Sequence, residues 1–268
     1  LFRSAGAQPV FVPTDADGGY KVTPRTLQPF VNEKTRLLIL NQPNNPSGAV
    51  YSRQELEELA AFCVEHDLWV ISDEVYSSLV YLSDGFTSIA GFPGMRERTV
   101  VVNAVSKTYG MTGWRIGYSA APAEVTKAML RLQSHTTSNP TSIAQQAALA
   151  AIDGPQDGLK VILREYMARR DRMVEGVRRI RGMHCLAPDG AFYLWVDVSE
   201  WLGQTVGGKV VSTVDDLAEV LLTEAGVAVM PGTGFGSPHH LRLSFAVATE
   251  EMEQGLAAME SMLGAKSR

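Results

Sequence analysis

The stretch Leu68-Trp69-Val70-Ile71-Ser72-Asp73-Glu74-Val75-Tyr76 decides the fold. Its first five residues read as a buried strand, and the strand ends on an acid, Asp73. Just upstream, Ser52 to His66 reads as a helix. Ser52 is a hydroxyl cap, and Glu55, three residues on, completes a capping box. Before that helix, Arg36-Leu37-Leu38-Ile39-Leu40-Asn41 reads as another strand, and Pro9-Val10-Phe11-Val12 as an earlier one. Downstream, Thr99 to Asn103 and Ile116 to Ala120 read as strands, and Ala123 to Gln133 and Ser142 to Ile152 as helices. Strands flanked by helices predict an α/β domain with a mostly parallel sheet.

The pattern changes after Gly154-Pro155. Gly158 to Arg181 is a long, charged, amphipathic helix, and Phe192 to Val196 is a strand. Asp215 to Ala225 is a helix with Leu217, Val220 and Leu221 on one face. Val227 to Met230 and His240 to Val247 read as strands, and Glu250 to Leu263 as a closing helix. This region reads as a smaller α+β domain. The expected division is a large domain over 1–157 and a small C-terminal domain over 158–268.

Composition narrows the function classes. The 268 residues carry a net charge of −5, which offers no electrostatic footprint for nucleic acid or an anionic membrane. Cys63 and Cys185 lie too far apart in sequence for metal-ligand spacing and form no disulfide framework, as in a reducing compartment. No apolar run reaches the length of a membrane span, and the histidines show no metal spacing. The chain begins at Leu1 rather than Met.

Four clusters place polar residues at strand ends or in glycine-rich loops, where open α/β sheets bind ligands. Asn41-Gln42-Pro43-Asn44-Asn45-Pro46-Ser47-Gly48 is, on local grounds, a turn, because Asn-Pro and Ser-Gly are loop signals. Asp73 and Glu74 mark either a helix N-terminus favoured by the dipole or a ligand site. Ser106 to Tyr118 sets Lys107 and Arg115 in a loop with three glycines. Ser106 and Arg115 suit a phosphate, and Lys107 suits an amine that forms a Schiff base; the plain alternative is an ordinary loop with a surface lysine. Arg242 sits inside the apolar run Leu241-Arg242-Leu243-Ser244-Phe245-Ala246. There it needs either an internal acid or an anionic ligand.

In this order the clusters resemble the motifs of fold-type-I pyridoxal-phosphate enzymes, specifically the class I and II aminotransferases. Asn45-Pro46-Ser47-Gly48, Asp73-Glu74-Val75-Tyr76, Ser106-Lys107, Gly113-Trp114-Arg115-Ile116-Gly117 and Arg242 in its Leu-Arg-Leu-Ser-Phe-Ala setting carry the resemblance. It covers essentially the whole chain. Met111 to Arg115, Ser138 to Gln145 and Pro231 to Gly236 look most like the bacterial aspartate aminotransferase subgroup.

The resemblance implies a transaminase that uses pyridoxal 5'-phosphate and moves the amino group of an L-amino acid, aspartate, to 2-oxoglutarate. Lys107 would be the Schiff-base partner and the general acid/base. Asp73, at the end of a strand buried on both faces, would keep the ring nitrogen protonated. Tyr76 and Asn45 would hydrogen-bond the ring's phenolic oxygen, and Ser106 and Arg115 would bind the phosphate. Arg242 would pair with the substrate α-carboxylate, with Asn45 touching it too. The implied partners are amino-acid and 2-oxo-acid substrates and a second copy of the chain, in a cytoplasmic homodimer with shared active sites. No metal, membrane or nucleic acid is expected. Glu74 reads as local support, Trp114 and Tyr118 as packing, His239-His240 as a surface turn, and Cys63 as buried.

One departure stands out. Family members are longer by roughly a hundred residues or more at the N-terminus. That part carries a glycine-rich phosphate turn, an aromatic that stacks on the ring, and the residues that recognise the substrate's distal group. The expectation is a C-terminal portion of a full enzyme. Other open readings are an aminotransferase of aromatic or prephenate specificity, a β-elimination lyase, and the aminotransferase-like domain of a transcription regulator.

Overall fold

In the computed structural model, which describes residues 5–264, the first helix described is a single turn, α1 (Pro24–Leu27). Three strands follow: β1 (Leu37–Asn41), β2 (Trp69–Asp73) and β3 (Thr99–Ala104). They pair in parallel, with Leu37 opposite Trp69 and Val70 opposite Thr99. Helix α2 (Arg53–Glu65) makes the first crossover. The Ser52 hydroxyl accepts from the Glu55 amide while the Glu55 carboxylate accepts from the Ser52 amide. Leu56, Leu59, Ala60, Phe62 and Cys63 on α2 join Leu40 and Val70 in one buried cluster. Leu56 and Leu59 are fully buried, which contributes about 2 kcal/mol each.

After β3 the chain makes the one-turn helix α3 (Val105–Thr108) and a short 3-10 turn, then returns as β4 (Gly117–Ala120). No long crossover helix intervenes, so β4 pairs antiparallel to β3 and closes the order β1-β2-β3-β4. The sheet is therefore mostly parallel. Helices α4 (Ala123–Thr136) and α5 (Ser142–Asp153) follow. Ala144 and Ala148 on α5 pack with Val105 and Ile116, which anchors the α3 turn from below.

Two expectations change here. Residues 9–12 form no strand: Val10 and Phe11 are exposed, and Pro9 and Pro13 supply no ladder donors. Leu1 to Ser4 of that region lie outside the described residues. The strand ending on Asp73 is buried on one face only. Val70 and Ser72 are fully buried, whereas Leu37, Ile39 and Trp69, on the opposite face of the sheet, are 40%, 43% and 37% exposed.

The second unit is built on α6 (Asp157–Arg179), β5 (His184–Cys185), β6 (Tyr193–Asp197), the hairpin β7 (Thr205–Val206) and β8 (Lys209–Val210), α7 (Val214–Ala225), β9 (Met230–Pro231), β10 (His240–Ser244) and α8 (Thr249–Leu263). Its sheet runs β5-β6-β10-β9, antiparallel throughout. The strands expected over 227–230 and 240–247 are shorter than their apolar runs. Leu194, Val196, Leu241 and Leu243 face a core shared with α6, α7 and α8. Alternation turns Tyr193, Trp195 and Arg242 to the other face. By packing, this unit takes in Pro43–Val50, Tyr76–Gly85 and everything from Ile152 onward.

Candidate active site

In the first unit, the carboxyl edge of the parallel strands collects four of the expected residues. Asp73 ends β2, half-buried. One carboxylate oxygen accepts from the Val75 amide at 3.3 Å. Burial pushes its carboxyl above the usual carboxylate range, and the Val75 bond pulls it partly back. Among the described residues no cationic side chain lies within ion-pair distance of it. The Gln42 amide and the Asn41 side chain both donate to the Asp73 carbonyl, which ties the ends of β1 and β2 together.

Glu74 is buried, and Oε1 accepts from the Ser72 hydroxyl at 2.8 Å and the Ser88 hydroxyl at 2.5 Å. Burial raises its carboxyl and the neighbouring Asp73 charge adds to this, while the two hydroxyls oppose it. Glu74 thus joins the end of β2 to the loop around Ser88, the local support that its place suggested.

Ser106 and Lys107 sit half-buried on α3, whose inner residues Val105 and Thr108 are buried. Arg115 follows at φ 56°, the left-handed region, with an exposed side chain. Its Nη1 donates to the Thr112 carbonyl at 3.0 Å, and no described carboxylate pairs with it. Trp114 and Tyr118, expected to pack, are 46% and 48% exposed. Neither is core: Trp114 ends the 3-10 turn and Tyr118 lies on β4.

In the second unit, Asn45 meets Arg242 directly and Tyr76 reaches it through Tyr193. Its Nη1 donates to Asn45 Oδ1 at 2.8 Å. Its guanidinium carbon lies 4.3 Å from the Tyr193 ring centroid and 5.0 Å from that of Phe235. No described acid pairs with it, so the internal ion pair that would explain it structurally is replaced by an amide and two rings. Tyr76 is buried with its hydroxyl 2.9 Å from the Tyr193 hydroxyl.

The Asn45 loop is held by Gly48, which has φ +71°. Its carbonyl accepts from the amides of Asp189 and Gly190 at 3.1 and 2.9 Å. A Cβ at Gly48 would lie 2.3 Å from Pro188 Cβ, so only glycine fits. His240 is no surface turn. It begins β10, stacks on Trp195 at 4.8 Å and shares a 2.7 Å hydrogen bond between Nδ1 and Ser237. Burial lowers its imidazole below the ordinary value.

Sequence reasoning missed Tyr193 and Phe235. Tyr193 stands in the run Phe192 to Val196, where it looks like core. The available signal was its register: on β6 it lies opposite Ser244, two residues from Arg242 on the same face of the paired strand.

Within the first unit, Asp73 offers a half-buried carboxylate without a cation and Arg115 a guanidinium without an acid, which suits a group with a cationic ring nitrogen and a phosphate, such as pyridoxal phosphate. Within the second unit, Arg242 offers a guanidinium without an acid, which suits a carboxylate.

The model of the aminotransferase class I and II family matches residues 1–259. The chain is 41% identical over 255 residues to the aspartate aminotransferase of Bacillus subtilis strain 168, covering 95% of this chain and 64% of that protein. It is 41% identical over 260 residues to the aspartate/prephenate aminotransferase of Cereibacter sphaeroides, covering 96% of this chain and 65% of that one. Among solved structures, the aspartate aminotransferase of Rhizobium meliloti superposes with a TM-score of 0.92 at 38% identity, over 97% of this chain and 66% of that chain. The aromatic aminotransferase of Pyrococcus horikoshii OT3 superposes with a TM-score of 0.88 at 38% identity, over 97% and 68%. The chain thus spans a little under two thirds of the length of the first two relatives.

Proposed function

The chain belongs to the class I and II aminotransferases, and from that membership we propose that it moves the amino group of L-aspartate to 2-oxoglutarate with pyridoxal 5'-phosphate as cofactor. The cofactor supplies an aldehyde for the amino group and a ring that accepts the electron pair of the broken Cα–H bond. Lys107 Nζ holds the cofactor covalently and then carries the substrate α-proton. Asp73 keeps a proton on the ring nitrogen, since a cation beside this half-buried carboxylate restores its charged form. Ser106 and Arg115 hold the phosphate, and Tyr76 and Asn45 hydrogen-bond the phenolic oxygen. Arg242 takes the α-carboxylate, with Asn45 beside it. The cofactor-holding part is assigned to 1–157 and the smaller part to 158–268, apart from the Asn45 loop and Tyr76, which pack with the latter.

The observation that carries this reading is Arg242: a half-buried guanidinium oriented by Asn45 and two rings, with no acid of its own among the described residues. Aspartate as donor is supported by the names of the relatives above. Two of those names, aspartate/prephenate and aromatic aminotransferase, favour a second specificity for aromatic or prephenate-type substrates. The proposal extends to a cytoplasmic homodimer with shared active sites. Among the described residues no helix is long and apolar enough to cross a membrane, and no cluster of His, Cys, Asp and Glu suits a metal.

The test is product analysis with cofactor, L-aspartate and 2-oxoglutarate. Glutamate and oxaloacetate in equal amounts support the reading. Ammonia and a keto acid formed without acceptor indicate a β-elimination lyase instead. Cofactor binding with no turnover of any amino acid indicates a sensor domain. Lys107→Ala is expected to lower turnover by about four orders of magnitude.

A further inference from the structure

Tyr193 touches two groups to which the reading above gives different tasks. Its hydroxyl lies 2.9 Å from that of Tyr76, and its ring face lies against the Arg242 guanidinium. Tyr193 is buried, with the Tyr76 ring edge-on at 5.8 Å and Phe192 at 4.7 Å. Such packing fixes the ring plane and the hydroxyl position together.

The geometry points to Tyr193 as a positioning residue that serves both ends of the proposed reaction: its ring orients Arg242 for the substrate α-carboxylate, and its hydroxyl donates to Tyr76. This rests on the aminotransferase reading. Each phenol has one proton and lone pairs that accept. If Tyr76 commits its proton to an anionic phenolic oxygen of the cofactor, the 2.9 Å bond must run from Tyr193 to Tyr76. A donated bond polarises Tyr76 and makes it a stronger donor in turn. The ring contribution is separate. A planar guanidinium against an aromatic face keeps one orientation of its fork, the orientation on which a bidentate carboxylate bond depends.

Two variants separate the parts. Tyr193→Phe removes only the hydroxyl. In the cofactor-loaded protein the pH midpoint of the visible absorbance band is expected to rise by about half a unit. Binding of maleate, a non-reacting dicarboxylate, should stay within about twofold of the parent. Tyr193→Leu removes the ring as well, and maleate should bind roughly tenfold more weakly. In the cofactor-free protein, phenylglyoxal should then modify Arg242 faster, read by peptide mass. Should Tyr193→Leu not fold, Phe235→Leu takes away the other ring against the same guanidinium and carries the same expectation for maleate and phenylglyoxal. An unmoved band in Tyr193→Phe overturns the hydroxyl role. Unchanged maleate binding and Arg242 reactivity on loss of the ring overturn the ring role. A parent protein that forms no visible band with pyridoxal phosphate overturns the aminotransferase reading instead, and the phenylglyoxal measurement still decides the ring role.

Discussion

Arg115 and Arg242 carry the same guanidinium, each without an acid among the described residues, in opposite surroundings. Arg242 lies on a strand, half-buried, between an amide oxygen and two rings. Arg115 lies in a left-handed turn, exposed, with one N–H bound to the carbonyl of Thr112. The conformational cost of fixing Arg242 is met when the protein folds. Under the proposed function, a phosphate held by Arg115 would have to order the side chain, at about 1 kcal/mol. One cation is built in advance, and the other is recruited.

The contrast can be broken at Gly48, Arg242 and Arg115. Gly48→Ala should have the largest effect. The added Cβ meets Pro188 and the Gly190 carbonyl in a left-handed conformation, at a cost of about 3 kcal/mol or more. Urea unfolding should show the loss, and weaker maleate binding should accompany it as Asn45 moves, bringing Arg242 closer to the state of Arg115.

Lysine substitutions come next. Arg242→Lys discards both the fork and the flat face and should weaken dicarboxylate binding by about 2 kcal/mol. If Arg115 holds the cofactor phosphate as proposed, Arg115→Lys keeps a mobile charge there and should cost about 1 kcal/mol or less in cofactor affinity. Equal losses in the two titrations would remove the distinction.

Glu74→Gln should have the smallest effect. Its folded carboxyl is raised by burial, so the folded state keeps that proton to higher pH than the unfolded chain does. The resulting stability is complete below the unfolded carboxyl value and is lost as pH rises through the folded one. The glutamine variant keeps the acceptor for Ser72 and Ser88 and should lose part of that decline, less than about 1 kcal/mol by thermal melts across pH 4 to 8.

Much of the frame is legible in the residues. Ser52 and Glu55 announce the start of α2, and the apolar runs before Asn41, Asp73 and Asn103 announce the parallel strands. Local patterns fail where a neighbour decides the outcome. Pro9 to Val12 has strand composition but pairs with no strand among the described residues. Trp69 and Ile39 look like core from their residue type, yet no alternation pattern reveals what covers a sheet face. Of the candidate site, the charged residues stand out in the sequence, because Asp73 ends an apolar run, Lys107 and Arg115 share a glycine-rich loop and Arg242 interrupts an apolar strand. Tyr193 is hidden because an aromatic in a strand is ordinary, and only its register beside Arg242 gives it a task.

The Gly48 contact also bears on how the chain can be divided. Along the sequence the backbone passes between the two packing units five times, and Pro43–Val50 and Tyr76–Gly85 belong with residues 152–268. A polypeptide of 152–268 alone would leave the Asp189 and Gly190 amides without the Gly48 carbonyl, and the core without Tyr81. The second unit is continuous in space and discontinuous in sequence, so its folding waits on loops made early in the chain. A gene cut at residue 152 would separate a body from parts of its own interior.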